Sequence, residues 1–465
     1  MTNIPMGSNP DVVDVHDVLR SVNARAPGAN VDFIHEYALR GRRILRRFRL
    51  GNGLSVLLVC DPATPVASFH TWFNVGSCYE KPGRTGMAHL FEHLMFKATT
   101  HHEEGEYDRV MEERGAQTNA ATWVDWTCYH VTFPAHGDNL ETVLRYESDR
   151  MVHLDLTSAQ LESEREVVCN ERRYRVDDDP DGKITEELYA LALEGHPYAW
   201  PTIGWMEDIK AIGLEDCEAF YGTYYAPNNA TLVVTGNVDT EQTLFLIASY
   251  YGSIPSQDIP APPNPAELVP LAAPRRRELT LPISTERLLL GFVTPGLNHP
   301  DIPALDVAIE LLFGGESSRL HQDLVMEKEI ASSTHGWVGT FRLSALTEMS
   351  VTLCPGRQAE EAQEAVFAAL DDIGRNPPTA RELEKARAQI EVSAIRSIIT
   401  ANGLAGKLGH CEITVGDCRH LFVLLDAIDK VTVEDVSRVV RKYFTPQSYA
   451  GIVARAASAA SEATP

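Results

Sequence analysis

"LEDCEAFYGTYYAPNNATLVV", residues 214–234, is echoed by "VEDVSRVVRKYFTPQSYAGIV", residues 433–453. Each reads as a helix, an aromatic pair, a proline turn and then a strand. The echo keeps register: Glu215 and Asp216 correspond to Glu434 and Asp435, and Tyr224 and Pro227 to Tyr443 and Pro446. A second pair of stretches agrees. "SFHTWFNVGS" (68–77) precedes a helical pattern from about residue 85, and "LLLGFVTPGL" (288–297) precedes one from about residue 302. Two tandem copies of one domain account for both correspondences. Strands mixed with long helices predict an α+β fold: two homologous domains, each a mainly antiparallel sheet with helices packed on one face.

The chain divides accordingly. Residues 1–38 read as a polar lead with one short helix, 39–254 as the first domain and 275–453 as the second. Between them "PSQDIPAPPNPAELVPLAAP" (255–274) is proline-rich and predicts an extended, semi-rigid linker. The end, "ARAASAASEATP" (454–465), is of low complexity and predicts a disordered tail. Near the start of the first domain, "ILRRFRL" (44–50) alternates apolar residues with arginines, a strand whose arginines are expected to face solvent. Gly51, Asn52 and Gly53 then supply a turn.

Apolar residues make up 44% of the chain and charged residues 23%, the balance of a globular protein. No apolar run reaches the ~18 residues of a membrane span, so no membrane insertion is expected. The formal net charge of −24 repels phosphate backbones, which argues against nucleic acid as a partner. Basic peptides, in contrast, are attracted. The eight cysteines are scattered with no C-x-x-C pair and read as free thiols of a reducing compartment. Cys411 and Cys418 lie near His410 and His420, but the spacing fits no zinc finger. The first residues lack a basic segment and an apolar segment, so a cytoplasmic location is expected; removal of a leader would instead make it periplasmic or organellar.

"AHLFEHLMF" (88–96) places three titratable groups in an apolar helical run. His89 and His93 are one helical turn apart, and Glu92 shares their face. Hydrogen-bonded histidines in a core helix would explain them. So would a metal site, since two imidazoles at this spacing can hold one zinc ion with a carboxylate beside them as base. The order is H-x-x-E-H, the inverzincin pattern. A third protein ligand is then needed from another helix. In "SEREVVCNERR" (163–173), Glu164 and Glu171 are two turns apart and share a face, with Val167, Val168 and Cys169 expected to form part of a buried stripe and Glu166 expected in solvent. An amphipathic surface helix would read the same way. No G-x-S-x-G elbow occurs, and "DGKIT" (181–185) is not a phosphate-binding loop.

His89, Glu92 and His93, followed by Glu171 in "EREVVCNE" (164–171), resemble the pitrilysin and mitochondrial processing peptidase family of zinc metallopeptidases. "NGLSVLLV" (52–59), "NAATWVDWTCYHVTF" (119–133), "GHPYAWPTIGW" (195–205), "YYAPNNATLVVTGNV" (224–238) and "GGESSRLHQDL" (314–324) match in order. The length is that of the short, two-domain, processing-peptidase-like branch. The resemblance implies one zinc ion per chain, bound by His89, His93 and Glu171, with Glu92 as general base and Glu164 orienting a ligand histidine. It implies a zinc endopeptidase acting on short or unfolded peptides in an enclosed chamber. Asn119, Ala120 and Ala121 would then pair with the substrate as an added strand.

The second half has no H-x-x-E-H. Catalytic assemblies of the family use an arginine and a tyrosine, placed after an "S-R-L" segment, to hold the substrate. Aligned on Ser318, Arg319 and Leu320, those places fall on Val325 and Ser332. The resemblance therefore implies a heterodimer, in which a related, non-catalytic chain supplies the Arg/Tyr clamp. Two other readings share the fold: a maturation protease dedicated to one ribosomally made peptide precursor, and a non-catalytic structural subunit like the core subunits of respiratory complex III.

Overall fold

The computed structural model describes residues 14–39 and 43–457, so most of the expected tail and the first part of the lead lie outside the described residues. Seven strands form the first sheet: β1 (Asp32–Ala38), β2 (Ile44–Arg49), β3 (Ser55–Cys60), β4 (Val66–Phe73), β5 (Gln117–Thr122), β6 (Thr127–Pro134) and β7 (Ala230–Gly236). Five form the second: β8 (Arg275–Leu281), β9 (Arg287–Thr294), β10 (Ala331–Val338), β11 (Ala345–Leu353) and β12 (Ala450–Ala456). Their orders are β1-β2-β3-β7-β4-β6-β5 and β10-β11-β9-β12-β8. Without β1 and β2 the first order matches the second strand for strand. Each sheet has one parallel pair, β3 with β7 and β8 with β12, and all other pairings are antiparallel. The echoed segments sit at equivalent places: helix Leu214–Tyr224 leads towards β7, and helix Val433–Tyr443 towards β12.

Period-two alternation sorts the side chains of the first sheet. Phe69 and Phe73 of β4, with Tyr129 and Val131 of β6, join Leu90, Phe91 and Leu144 from the helices of their own half. Trp72 and Cys128 point to the opposite face, where helix Ala401–Val415 of the second half delivers Leu404, Ala405 and Leu408. A Cβ on Gly409 would come within 2.1 Å of Trp72 Nε1, so glycine is what lets this helix sit so low on the sheet. The exchange is mutual. Helix Pro180–Ala192 of the first half packs on β8, β9 and β12, with Leu188 over Gly291.

Three readings of the sequence change, the first being the tail expected from residue 454: Ala454, Arg455 and Ala456 complete β12 and pair with β8. Asp32–Ala38, taken as part of a lead, is β1 and extends the sheet, while Val15, Val18 and Val22 of helix Val15–Arg25 are buried in the core. The β2 arginines do not all face solvent. Arg46 is 2% exposed and paired with Glu36, and Arg47 reaches Glu412 on the second half's helix at 2.5 Å. Residues 255–271 carry no regular secondary structure, as a proline-rich stretch requires.

A polar contact also fastens the halves. The Arg342 backbone N–H donates to Asp125 Oδ2 at 2.9 Å, and its guanidinium donates to Tyr79 Oη at 2.9 Å. Tyr198 donates to Asp125 Oδ1 at 2.7 Å. Asp125 is 1% exposed, so its charge is compensated only within the protein. Replacing Arg342 by Met should destabilise the chain by about 1–3 kcal/mol, because Tyr79 and Asn74 lose the hydrogen bonds of a half-buried guanidinium. Urea unfolding would measure this; a loss below about 0.5 kcal/mol would show that the guanidinium does not help to fasten the halves.

Candidate metal centre

The helix Met87–Leu94 starts from Gly86, whose φ of 89° and whose approach to Ile203 O exclude a side chain there: a Cβ would come within 2.5 Å of that oxygen. The Glu80 carboxyl accepts from Gly86 N–H at 2.9 Å and Ala88 N–H at 2.8 Å, satisfying two free donors at the helix N-terminus. Ala88, Leu90, Phe91 and Leu94 are buried. The remaining face presents His89, Glu92 and His93. Helix Ser158–Arg172 is started by a capping box between Thr157 and Gln160 and anchored by Leu161, Val168 and Cys169. Val167, expected in that buried stripe, is 45% exposed, and Glu166 is exposed as expected. Glu164 and Glu171 face the first helix.

One atom is shared. Glu171 Oε2 lies 3.6 Å from His89 Nε2 and 3.3 Å from His93 Nε2. A four-coordinate zinc about 2.0–2.2 Å from each ligand sets neighbouring ligand atoms about 3.3–3.6 Å apart. Both distances to Glu171 Oε2 fit that ion, and the ligand atoms of all three residues lie within 4.8 Å of one another. Glu171 Oε2 is also buried and makes no regular hydrogen bond, an orphan that a cation would satisfy. Its other oxygen accepts from Arg175 Nε at 2.8 Å. Behind the site, Glu164 Oε2 lies 3.3 Å from His93 Nδ1, and Glu164 Oε1 accepts from Lys97 Nζ at 2.7 Å. This carboxylate fixes the imidazole so that Nε2 faces Glu171.

The electrostatics follow from the crowding. Burial, with the neighbouring His93 charge, lowers His89 to about 4. Burial also opposes a charge on His93, but the adjacent carboxylates of Glu164 and Glu171 outweigh this and raise it to about 9. A bare site thus keeps one proton where a metal ion would put its charge. Glu92 stands to the side. Burial raises its pKa, and Thr122 Oγ1 donates to Glu92 Oε2 at 2.5 Å.

A cavity of about 420 Å³ opens beside these groups, lined by Glu92, His93, Phe96, Lys97, Glu164, Thr118, Asn119 and Ala120 among others. Strand β5 is the end strand of its sheet, so it pairs only with β6 among the described residues. Asn119 and Ala120 thus lie at the cavity on a free sheet edge; Ala121 lies on the same strand and is exposed. Val325 is half-buried against the second core, and Ser332 Oγ donates to Thr352 O at 3.2 Å. Among the described residues, the cysteines and histidines near 411–420 do not converge as a metal cluster. Sequence reasoning missed Thr122, Lys97, Arg175 and Glu80. Lys97, four residues past His93, and Arg175, four past Glu171, left a trace in the spacing.

Two family models match the chain: "Insulinase (Peptidase family M16)" over residues 55–204 and "Peptidase M16 inactive domain" over residues 211–390. The zinc protease PqqE of Helicobacter pylori is 30% identical over 403 residues, covering 85% of this chain and 89% of that protein. The mitochondrial-processing peptidase subunit beta of Lentinula edodes is 25% identical, covering 86% and 88%. The crystal structure of a protease from Helicobacter pylori superposes with a TM-score of 0.84 at 29% identity, over 88% of this chain and 99% of that one.

Glu164→Gln should leave the fold intact and weaken zinc binding at the triad roughly ten- to a hundredfold. Competition with a chromophoric chelator would measure this, and an unchanged affinity would remove Glu164 from the site.

Proposed function

The chain belongs to the M16 peptidase family, and from that premise we propose that it is a zinc-dependent endopeptidase for short or unfolded peptides, working as the catalytic subunit of a heterodimer. The observation that carries this reading is Glu171 Oε2, set 3.3 and 3.6 Å from two imidazole Nε2 atoms with Glu92 beside them. His89, His93 and Glu171 hold the ion, and Glu164 and Lys97 hold His93. Zinc bound there supplies a Lewis acid that polarises a peptide carbonyl and acidifies a water molecule.

The chain's own groups do the rest. Thr122 fixes one oxygen of Glu92 and leaves the other for the water proton. Glu92 takes that proton as the water oxygen bonds to the carbonyl carbon, then delivers it to the amine as the C–N bond breaks. Burial makes this carboxylate a stronger base than a solvated one. The free edge of β5 at Asn119, Ala120 and Ala121 binds the peptide backbone as an added strand, which reads an extended chain largely independently of sequence.

A related chain supplies the substrate clamp. Val325 and Ser332 stand where that clamp is expected, and neither can bind a backbone carbonyl through a guanidinium or a phenol. A homodimer would join two metal sites and no clamp. The positioning part of catalysis then has to come from a different subunit.

His93→Ala should lose the tightly bound zinc. Glu92→Gln should keep the zinc and still bind peptide, but lose turnover by about 10²–10⁴-fold, since an amide takes no proton from water. Zinc analysis alongside peptide turnover separates the two, and near wild-type turnover in Glu92→Gln would transfer the base to another residue. The purified chain should cleave peptides poorly alone and gain activity with an M16 chain that carries the arginine–tyrosine pair. Full turnover with no second protein present would refute the heterodimer.

A further inference from the structure

A second group of metal-binding side chains lies outside the candidate site. His101, from the loop after helix Met87–Leu94, and His153, at the end of helix Asn139–Val152, both contact Asp149. Asp149 Oδ1 is 2.6 Å from His101 Nδ1 and 2.8 Å from His153 Nδ1. Its other oxygen accepts from Thr99 Oγ1 at 2.5 Å. The two rings stand edge to face, 4.6 Å apart between centroids. All three residues offer a ligand atom within 4.8 Å of the others, one of two such groups among the described residues.

We propose that His101, Asp149 and His153 form a second, exchangeable zinc site, weaker than the first. Three features support it. Asp149 and His153 are one helical turn apart, a spacing at which two side chains reach one ion. The ion would sit at the C-terminal end of a helix, where exposed carbonyls favour a cation. The loop is already fixed to that helix end without any metal: Thr100 N–H donates to His153 O at 2.8 Å, and Asp155 N–H to Ala98 O at 3.0 Å. Binding therefore needs little ordering of the backbone.

The chemistry selects the metal. Two imidazoles with one carboxylate suit zinc, nickel or cobalt, whereas magnesium and calcium take oxygen ligands. Zinc takes the lone pairs of the two Nδ1 atoms in place of Asp149 hydrogen bonding, and each neutral ring then carries its proton on Nε2. Its ligand atoms must then move to about 3.3–3.6 Å apart, roughly half an ångström to one ångström wider than the 2.6 and 2.8 Å seen now. Both rings can turn to allow this, since His101 and His153 are 57% and 45% exposed at the side chain. The outward side is left for water or an exchanging ligand. The same loop begins at Lys97, which holds Glu164 behind His93, so occupancy here stiffens a segment joined to the first site.

The test uses the full chain, stripped with chelator and titrated with zinc against a chromophoric competitor. The wild-type chain should bind two zinc ions, one tightly and one more weakly. His101→Ala and His153→Gln should each weaken the second ion at least tenfold and leave the first unchanged. His93→Ala should show the opposite pattern and retain the weaker ion. Magnesium in hundredfold excess should not displace either. One zinc per wild-type chain, an unchanged second ion in both histidine variants, or displacement by magnesium would each overturn the proposal. Circular dichroism of the exposed-histidine variants confirms that the fold is intact in the comparison.

Discussion

A single carboxylate oxygen, Glu171 Oε2, sets the terms for the candidate metal centre and the helices around it. It is buried, it faces two imidazoles, and it has no ordinary hydrogen bond. Two imidazoles and the carboxylates of Glu92, Glu164 and Glu171 crowd one small volume. Lys97 and Arg175 each answer one carboxylate oxygen, but Glu171 Oε2 is left over, and the charge that suits it is a proton on His93 or a metal ion. The surroundings serve to hold this unsatisfied arrangement. Gly86 admits the chain to the first helix, Glu80 caps it, and the Thr157–Gln160 box fixes the start of the second. Buried Leu90, Phe91 and Val168 supply the packing that keeps two polar helix faces opposed.

What could be read from the sequence was what repeats locally. The echo between 214–234 and 433–453 needs only helix and strand periods, and it located β7 and β12 at equivalent places in their sheets. Spacings of one and two helical turns put His89 with His93 and Glu164 with Glu171. The structure brings all four together. The unreadable part depends on contacts between distant residues. "DFIHEYA" looks polar, yet it is β1, because Arg46 of the neighbouring strand pairs with its Glu36. Thr122 becomes a partner of Glu92 only when the β5–β6 hairpin folds back over the first helix.

The two halves differ where function differs. Helix Ile302–Phe313 follows β9 as Met87–Leu94 follows β4, and it carries Asp306 and Glu310 at the same one-turn spacing as His89 and His93. Carboxylates there have no imidazole partners. Burial, with the nearby charge of Glu310, pushes Asp306 up to about 7. The shared topology has thus been retained with a different set of side chains, and no second triad of the first kind is found among the described residues.

The exchange of helices between the sheets bears on how the chain is made. The face of β4 and β7 that carries Trp72 and Val233 is covered by helix Ala401–Val415, which is synthesised long after those strands. At about 5–20 residues per second, that face stays bare on the ribosome for on the order of ten seconds or more. An apolar sheet surface open that long is a binding site for chaperones and a route to aggregation. Cuts, permutations and fusions that separate the halves therefore act on the nascent chain before they act on the folded protein.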